Sequence, residues 1–202
     1  MIILHHLNRS RSHRVFWLLE ELGADYEIRA YARDAKTNLA PPELKGVHPL
    51  GKSPMIELDG HLITESGAIT ELLCQRFAPE MIPEPGGDAY LSHLELMHFA
   101  EGSAMIPILL NLYVGRLGDA GAPLQPRIAS ELESHFSYME SLVRPSGHFV
   151  LDRLSAVDVM LSFPAEIAAR LGYAAQYPKL AAFTAMTQAR PAYQRAMEKG
   201  NS

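Results

Sequence analysis

One cysteine, Cys74, stands in the whole chain. A disulfide, a Cys-x-x-Cys redox pair and a zinc knuckle each need at least two, so all three are excluded, and a reducing compartment suits the protein. Long apolar runs are missing too. No window reaches the roughly eighteen uninterrupted apolar residues of a membrane span. Met1-Ile2-Ile3-Leu4 runs into His5-His6 without a basic n-region or cleavage site. The reading is a cytoplasmic protein with no membrane partner. Positive charge is scarce, 18 Lys and Arg against 23 Asp and Glu for a formal net charge of -5. Without a basic cluster there is no counter-ion release to drive nucleic-acid binding, so that partner class is excluded as well.

What is present is enough apolar residue for two small cores, 48% of 202 positions. Met1 to Leu4 reads as a strand. Arg14 to Leu22 has apolar residues at helical spacing before Gly23 stops it, and Tyr26 to Tyr31 alternates as a second strand. After an irregular stretch from Ala32 to Gly51, with at most a short helix at Glu43 to Lys45, two apolar runs flank Asp59-Gly60, a strong hairpin signal. Ser66 to Phe77 closes this part as a helix. The order βαβ, loop, ββα is that of a thioredoxin-like domain over residues 1–78. Pro79, Pro83, Pro85, Gly86 and Gly87 mark a linker at 79–87, and residues 88–202 carry helical patterns only. The expected helices there are Asp88 to Arg116, kinked near Pro107, then Gln125 to Leu142, Ser155 to Leu171, and Pro178 to Met197 interrupted at Pro191.

Three stretches set this plan beside a known family: Leu7-Asn8-Arg9-Ser10-Arg11-Ser12-His13-Arg14-Val15; His48-Pro49-Leu50-Gly51-Lys52-Ser53-Pro54 with Thr64-Glu65-Ser66-Gly67-Ala68-Ile69; and Leu154-Ser155-Ala156-Val157-Asp158-Val159. Their order and spacing resemble the soluble, cytosolic glutathione S-transferases over the whole length, in a bacterial and fungal subgroup that uses serine. The resemblance implies an α/β thioredoxin-like N-terminal domain followed by an all-α helical-bundle C-terminal domain. It also implies glutathione as co-substrate, no metal, and a transferase acting on a small apolar electrophile bound between the domains. Glutathione-dependent peroxidase, isomerase or dehalogenase chemistry would use the same site, and a non-catalytic interaction module would use the same fold.

The resemblance also distributes roles. Lys52, Ser53, Pro54, Glu65 and Ser66 would hold the tripeptide, with Pro54 preceded by a cis bond. From the residues alone, Ser66 is equally an N-cap and Lys52 equally a solvated loop residue. Thiol activation falls to the loop after the first strand. A thiol with a pKa near 8.5 needs about 2.7 kcal/mol of preference for the thiolate to drop by about two units. A hydroxyl donor supplies about 1.5 to 3 kcal/mol and a helix N-terminus up to about 2 more. Ser10 and Ser12 are both eligible. Alignment on Arg14-Val15 puts Ser10 at the family's hydroxyl position and leaves Ser12 as the N-cap, while Arg9 stands where some serine-type relatives carry a hydroxyl.

In the helical half, Ser155-x-x-Asp158 is a capping-box variant with a structural role. His98, Glu101 and Met105 share one helical face that borders the electrophile pocket in the family. Met97, Ala100, Ala104 and Ile108 form an apolar stripe beside them, so this helix is apolar over more than one face, and a two-fold homodimer is expected. Cys74, among Leu72, Leu73 and Phe77, reads as a buried helix residue. His5 and His6 point to opposite faces of a strand and cannot chelate together.

Overall fold

A computed structural model describes residues 1–200, so the last two positions of the expected 88–202 domain lie outside the described residues. The described chain divides into two units, one holding residues 1–80 together with 188–200, the other residues 81–187.

In the first unit, β1 (Ile2–Leu7) lies parallel to β2 (Tyr26–Tyr31), with Ile2 opposite Tyr26 and Leu7 opposite Tyr31. It lies antiparallel to β3 (Met55–Leu58), and β3 pairs with β4 (His61–Thr64), giving the order β2-β1-β3-β4. Asp59 and Gly60, at φ 52° and 79°, make the tight hairpin that an Asp-Gly pair favours. β1 is longer than its apolar run because both histidines have a place in it. His5 is buried between the Tyr31 hydroxyl and the Glu57 carboxylate, each 2.9 Å from a ring nitrogen, and His6 faces the other side against Phe16.

That other side is covered by α1 (Ser12–Leu22) and α3 (Ser66–Phe77). Val15, Phe16, Leu18 and Leu19 of α1 and Ile69 and Leu73 of α3 are fully buried, each worth about 1.5–3 kcal/mol relative to exposure. Gly23 ends α1 in the left-handed conformation, φ 57°, its N–H turned back on the last carbonyls. The opposite face carries only α2 (Glu43–Val47), whose Leu44 packs on Leu7 and Met55.

In the second unit, α4 (Asp88–Phe99) and α5 (Met105–Gly115) are joined by a π-helical turn over Ala100–Ala104. The sequence places a kink near Pro107; the break comes earlier, as a widened turn. Pro107 has no N–H for the carbonyl one turn back, and the preceding ladder shifts register to accommodate it. α6 (Gln125–Leu142), α7 (Ala156–Arg170) and α8 (Pro178–Gln188) complete the unit, with Phe136, Met139, Met160, Leu161 and Phe183 in its core. The capping box forms as expected: Ser155 Oγ accepts from the Asp158 N–H while Asp158 Oδ2 accepts from the Ser155 N–H at 2.7 Å. Asp158 Oδ1 also takes the Phe149 N–H at 3.0 Å, so the buried acid holds the incoming loop as well as the helix.

The last helix, α9 (Pro191–Gly200), groups with residues 1–80 and not with residues 81–187. It packs on α1. Ala192 and Ala196 are its buried face, Tyr193 meets the Trp17 ring edge-on, and Arg190 grips Glu21 through two nitrogens. Glu20 is buried and accepts from Lys199, from the Tyr26 hydroxyl and from Arg195 Nε, the last at 2.7 Å. Burial alone would raise its pKa; the hydrogen bonds from Lys199, Tyr26 and Arg195 overcome that and lower it to about 2. A folded pKa below the unfolded 4.5 means the stabilisation is complete above 4.5 and is lost as pH falls through about 2. Lys199 and Arg195 are themselves half exposed, so solvent screening reduces the gain to about 1–2 kcal/mol. Glu20→Gln is therefore expected to speed amide exchange in α9 about tenfold at neutral pH, and the difference from the unaltered protein should shrink as the pH approaches 2.

Candidate functional site

The hydroxyl-bearing loop lies where β1 gives way to α1. Asn8 continues the parallel ladder, its N–H on the Tyr31 carbonyl at 3.1 Å, and Arg9 then turns the chain with φ 50°. Arg33 holds this turn from outside, donating to the Asn8 and Arg9 carbonyls, while Arg9 reaches Asn38 at 2.9 Å. The turn brings Ser10 and Ser12 back over the end of β1, where both are buried, at 6% and 0% exposure. Ser10 is the one that keeps any accessible surface.

Their roles in the helix differ from the sequence expectation. Ser12 is not the N-cap: Arg11 holds that position, in helical conformation and with no side-chain cap bond. Ser10 Oγ accepts from the Ser12 N–H at 3.2 Å, so the cap-like bond belongs to Ser10. Ser12 points backward into the sheet, because its Oγ finds His6 Nδ1 at 2.9 Å, the Leu7 carbonyl at 3.1 Å and the Leu7 N–H at 3.3 Å. Ser10 Oγ lies 2.8 Å from the Leu7 carbonyl and 2.8 Å from Ser12 Oγ.

Ser53 reaches the same peptide from the other side. Its Oγ accepts from the Leu7 N–H at 3.2 Å and donates to the His5 carbonyl at 2.8 Å, and the Ser53-Pro54 bond is cis. With the side chain turned to β1, only the Ser53 backbone is left to meet a ligand. Lys52 beside it is exposed.

Glu65 and Ser66 stand at the β4 to α3 junction. Glu65, not Ser66, is the N-cap of α3, with no side-chain cap bond, its φ of 66° and ψ of 115° lying in a region a residue with a Cβ rarely occupies. Its side chain is exposed. Ser66 is the first helical residue, and its hydroxyl accepts from Arg14 Nη2 at 2.9 Å, both groups buried. The amides of the first turn of α3 thus receive no side-chain cap from Glu65.

His98, Glu101 and Met105 fall in the second unit, on α4, on the π turn and at the start of α5. His98 is exposed, Glu101 half-buried and Met105 buried in the core. Cys74 is buried; desolvation, then Glu71 and Glu80, push its thiol up to about 12, so it stays protonated and is no nucleophile.

Two contributors escaped the sequence reading. His6 was weighed only as a chelator, although its position on the α1 face of β1 placed it toward the first turn of that helix. Arg14 was legible as the one cation in an otherwise apolar helical stretch, Val15 to Leu19, and such a residue needs a buried partner.

Comparison with known proteins gives the family. Residues 1–74 match the family described as glutathione S-transferase, N-terminal domain. Glutathione S-transferase 3 of Schizosaccharomyces pombe is 33% identical, the match covering 98% of this chain and 88% of the relative. Glutathione S-transferase 1 of Saccharomyces cerevisiae is 28% identical over 100% of this chain and 96% of its own. Among solved structures, a glutathione S-transferase from Actinobacillus pleuropneumoniae superposes with a TM-score of 0.89 at 32% identity, covering 100% of this chain and 94% of the other.

The backbone at Glu65 yields a test that separates strain from binding. Glu65→Gly relieves the unfavourable φ and should leave stability equal or raise it by up to about 1 kcal/mol, while Glu65→Ala keeps the strain and gains nothing. Urea unfolding midpoints of the two variants read this directly, and a lower midpoint for the glycine variant would contradict the assignment of strain.

Proposed function

Because the chain belongs to the soluble glutathione transferase family, we propose that it activates glutathione with the Ser10 hydroxyl and holds the tripeptide at the ends of β1, β3 and α3. The activity is that of a glutathione transferase: the thiol proton goes to solvent, the thiolate attacks carbon in a small apolar electrophile, and as the carbon–sulfur bond forms either a leaving group departs with its bonding pair or the attacked double bond gives its π pair to the neighbouring atom, which then takes a proton from solvent. The observation that carries the site is the convergence of Ser10, Ser12 and Ser53 on the single Leu7 peptide.

In this reading Ser10 donates to the sulfur anion, with the first turn of α1 adding its dipole. The Ser53 backbone beside Pro54 pairs with the cysteinyl residue in the manner of an added strand. The uncapped first turn of α3, beginning at Ser66, takes the γ-glutamyl carboxylate, the exposed Glu65 carboxylate takes its ammonium, and Lys52 takes the glycyl carboxylate. His98 and Glu101 are the accessible candidates on the electrophile side, with Met105 behind them. We place the work in the cytoplasm, as detoxification of apolar electrophiles.

Ser10→Ala is expected to abolish most of the ultraviolet thiolate band of bound glutathione at neutral pH and to cut turnover about 10- to 100-fold, corresponding to a lost charge-assisted hydrogen bond. A band that survives in Ser10→Ala and disappears in Ser12→Ala would move the role to Ser12. Failure to be retained on immobilised glutathione would favour an interaction module over an enzyme.

A homodimer is part of the same proposal. The stripe Met97, Ala100, Ala104 and Ile108 is buried inside the second unit, so it is not the partner face. The outward apolar residues of α4 are Leu91 and Leu94, at 64% and 38% exposure, and these are our candidates for the subunit contact. Sedimentation equilibrium at micromolar concentration should give twice the chain mass of 22.4 kDa. A Leu91→Glu variant should shift the population toward monomer; a fully active single species at the chain mass would refute the dimer.

A further inference from the structure

We infer that His6 is a positioning residue for Ser10: with its proton on Nδ1, the imidazole aims the Ser12 hydroxyl at Ser10 and leaves Ser10's own proton for the glutathione thiolate. The inference rests on the reading that Ser10 faces the sulfur.

The Ser10 and Ser12 hydroxyls have one proton each for three oxygen–oxygen contacts, and the longest of these, Ser12 Oγ to the Leu7 carbonyl at 3.1 Å, is the one left without a proton. Ser10 Oγ lies 2.8 Å from the Leu7 carbonyl, and a carbonyl cannot donate, so the single Ser10 proton lies between them. The 2.8 Å contact between Ser10 Oγ and Ser12 Oγ then needs the Ser12 proton, since two bare oxygens at that distance would repel. With that proton used, the 2.9 Å contact between Ser12 Oγ and His6 Nδ1 can be filled only by an N–H on Nδ1. The opposite polarity, Ser10 to Ser12 to a bare Nδ1, would strand the Leu7 carbonyl against a lone pair and leave Ser10 no proton to give.

The surroundings of His6 decide its charge. The ring is buried, and its Nε2 edge faces the backbone of Gly200, where even an added Cβ would come within 3.3 Å of it. Nε2 makes no hydrogen bond of acceptable geometry. Burial first, then the neighbouring His13, lower the His6 pKa to about 4, while the Gly200 backbone raises it slightly, so near neutrality the ring carries one proton and the question is one of tautomer alone.

When a thiolate arrives, the Ser10 proton turns from the Leu7 carbonyl to the sulfur. Ser10 Oγ goes on accepting from the Ser12 hydroxyl and the Ser12 N–H, which polarises the bond it gives. No proton is transferred along the chain; the imidazole only fixes where each hydrogen points.

The experiment compares the full chain with His6→Leu, His6→Asn and Ser12→Ala by titrating the thiolate band of bound glutathione. Asparagine can offer an amide N–H where Nδ1–H stood. His6→Leu and Ser12→Ala are expected to raise the pKa of the bound thiol about one unit and so to lower the thiolate fraction at neutral pH about threefold, with KM for glutathione changed less than about twofold. His6→Asn should recover most of the loss, and His6→Leu combined with Ser12→Ala should be no worse than either alone. A wild-type band that persists at full strength in His6→Leu sinks this inference and leaves the Ser10 reading intact; no band in the unaltered protein sinks both. Should His6→Leu fail to fold, nitrogen-15 spectra of the unaltered protein with glutathione decide: Nδ1–H supports the inference and Nε2–H overturns it.

Discussion

A strand that runs past the end of its neighbour has to hand its last N–H and C=O to something other than a strand. β1 faces this at Leu7, because β3 begins only at Met55 and the preceding Pro54 has no N–H to offer. Serine hydroxyls take the place of the missing strand. The Leu7 N–H is shared between Ser12 and Ser53, and its carbonyl receives Ser10, with the Ser12 hydroxyl 3.1 Å away. Satisfying one buried peptide therefore gathers three hydroxyls at the point where β1, α1 and β3 meet. A loop of ordinary composition becomes a fixed arrangement of donors, and Arg33 and Asn38 keep its outer side in place.

The groups proposed to face glutathione come from the ends of elements, where backbone polar groups are unspent. The cost shows at Glu65. A glycine would sit more easily at φ 66°, yet the position carries a carboxylate, and the helix it opens is left without a side-chain cap. Both departures from local preference fall at one junction, which is where a binding site, rather than a folding element, is to be looked for. The contrast with Ser155 and Asp158 is instructive: there the same kinds of residue at a helix start are buried and mutually satisfied, and they serve only the fold.

Much of the fold was legible because period and punctuation agreed. Tyr26–Tyr31, Ser66–Phe77 and Gln125–Leu142 have the expected bounds, the first from alternation, the other two from helical spacing between clear breakers. What was not legible depends on distance in the chain or on the direction of a side chain. That the cap-like bond goes to Ser10 and not to Ser12 turns on Ser12 finding His6, a contact that follows from how tightly the loop turns back. The π turn at Ala100–Ala104 lies upstream of the proline that accounts for it, so a breaker in the sequence misplaces the break. α9 was legible as a helix but not as a partner of α1, since Glu20 and Glu21 meet Arg190, Arg195 and Lys199 across most of the chain length.

That last pairing has a consequence for the order in which the protein is made. Residues 1–80 leave the ribosome before residues 188–200, the last described stretch, whose Tyr193 and Arg195 cover the face of α1 around Trp17 and Glu20. The second unit lies wholly inside that interval and has all its helices available before the first unit is complete. Folding on the ribosome thus inverts the chain order: the unit translated first is finished last, and the nascent first unit carries an open apolar and acidic face throughout elongation, the period in which a chaperone or a neighbouring nascent chain can reach it.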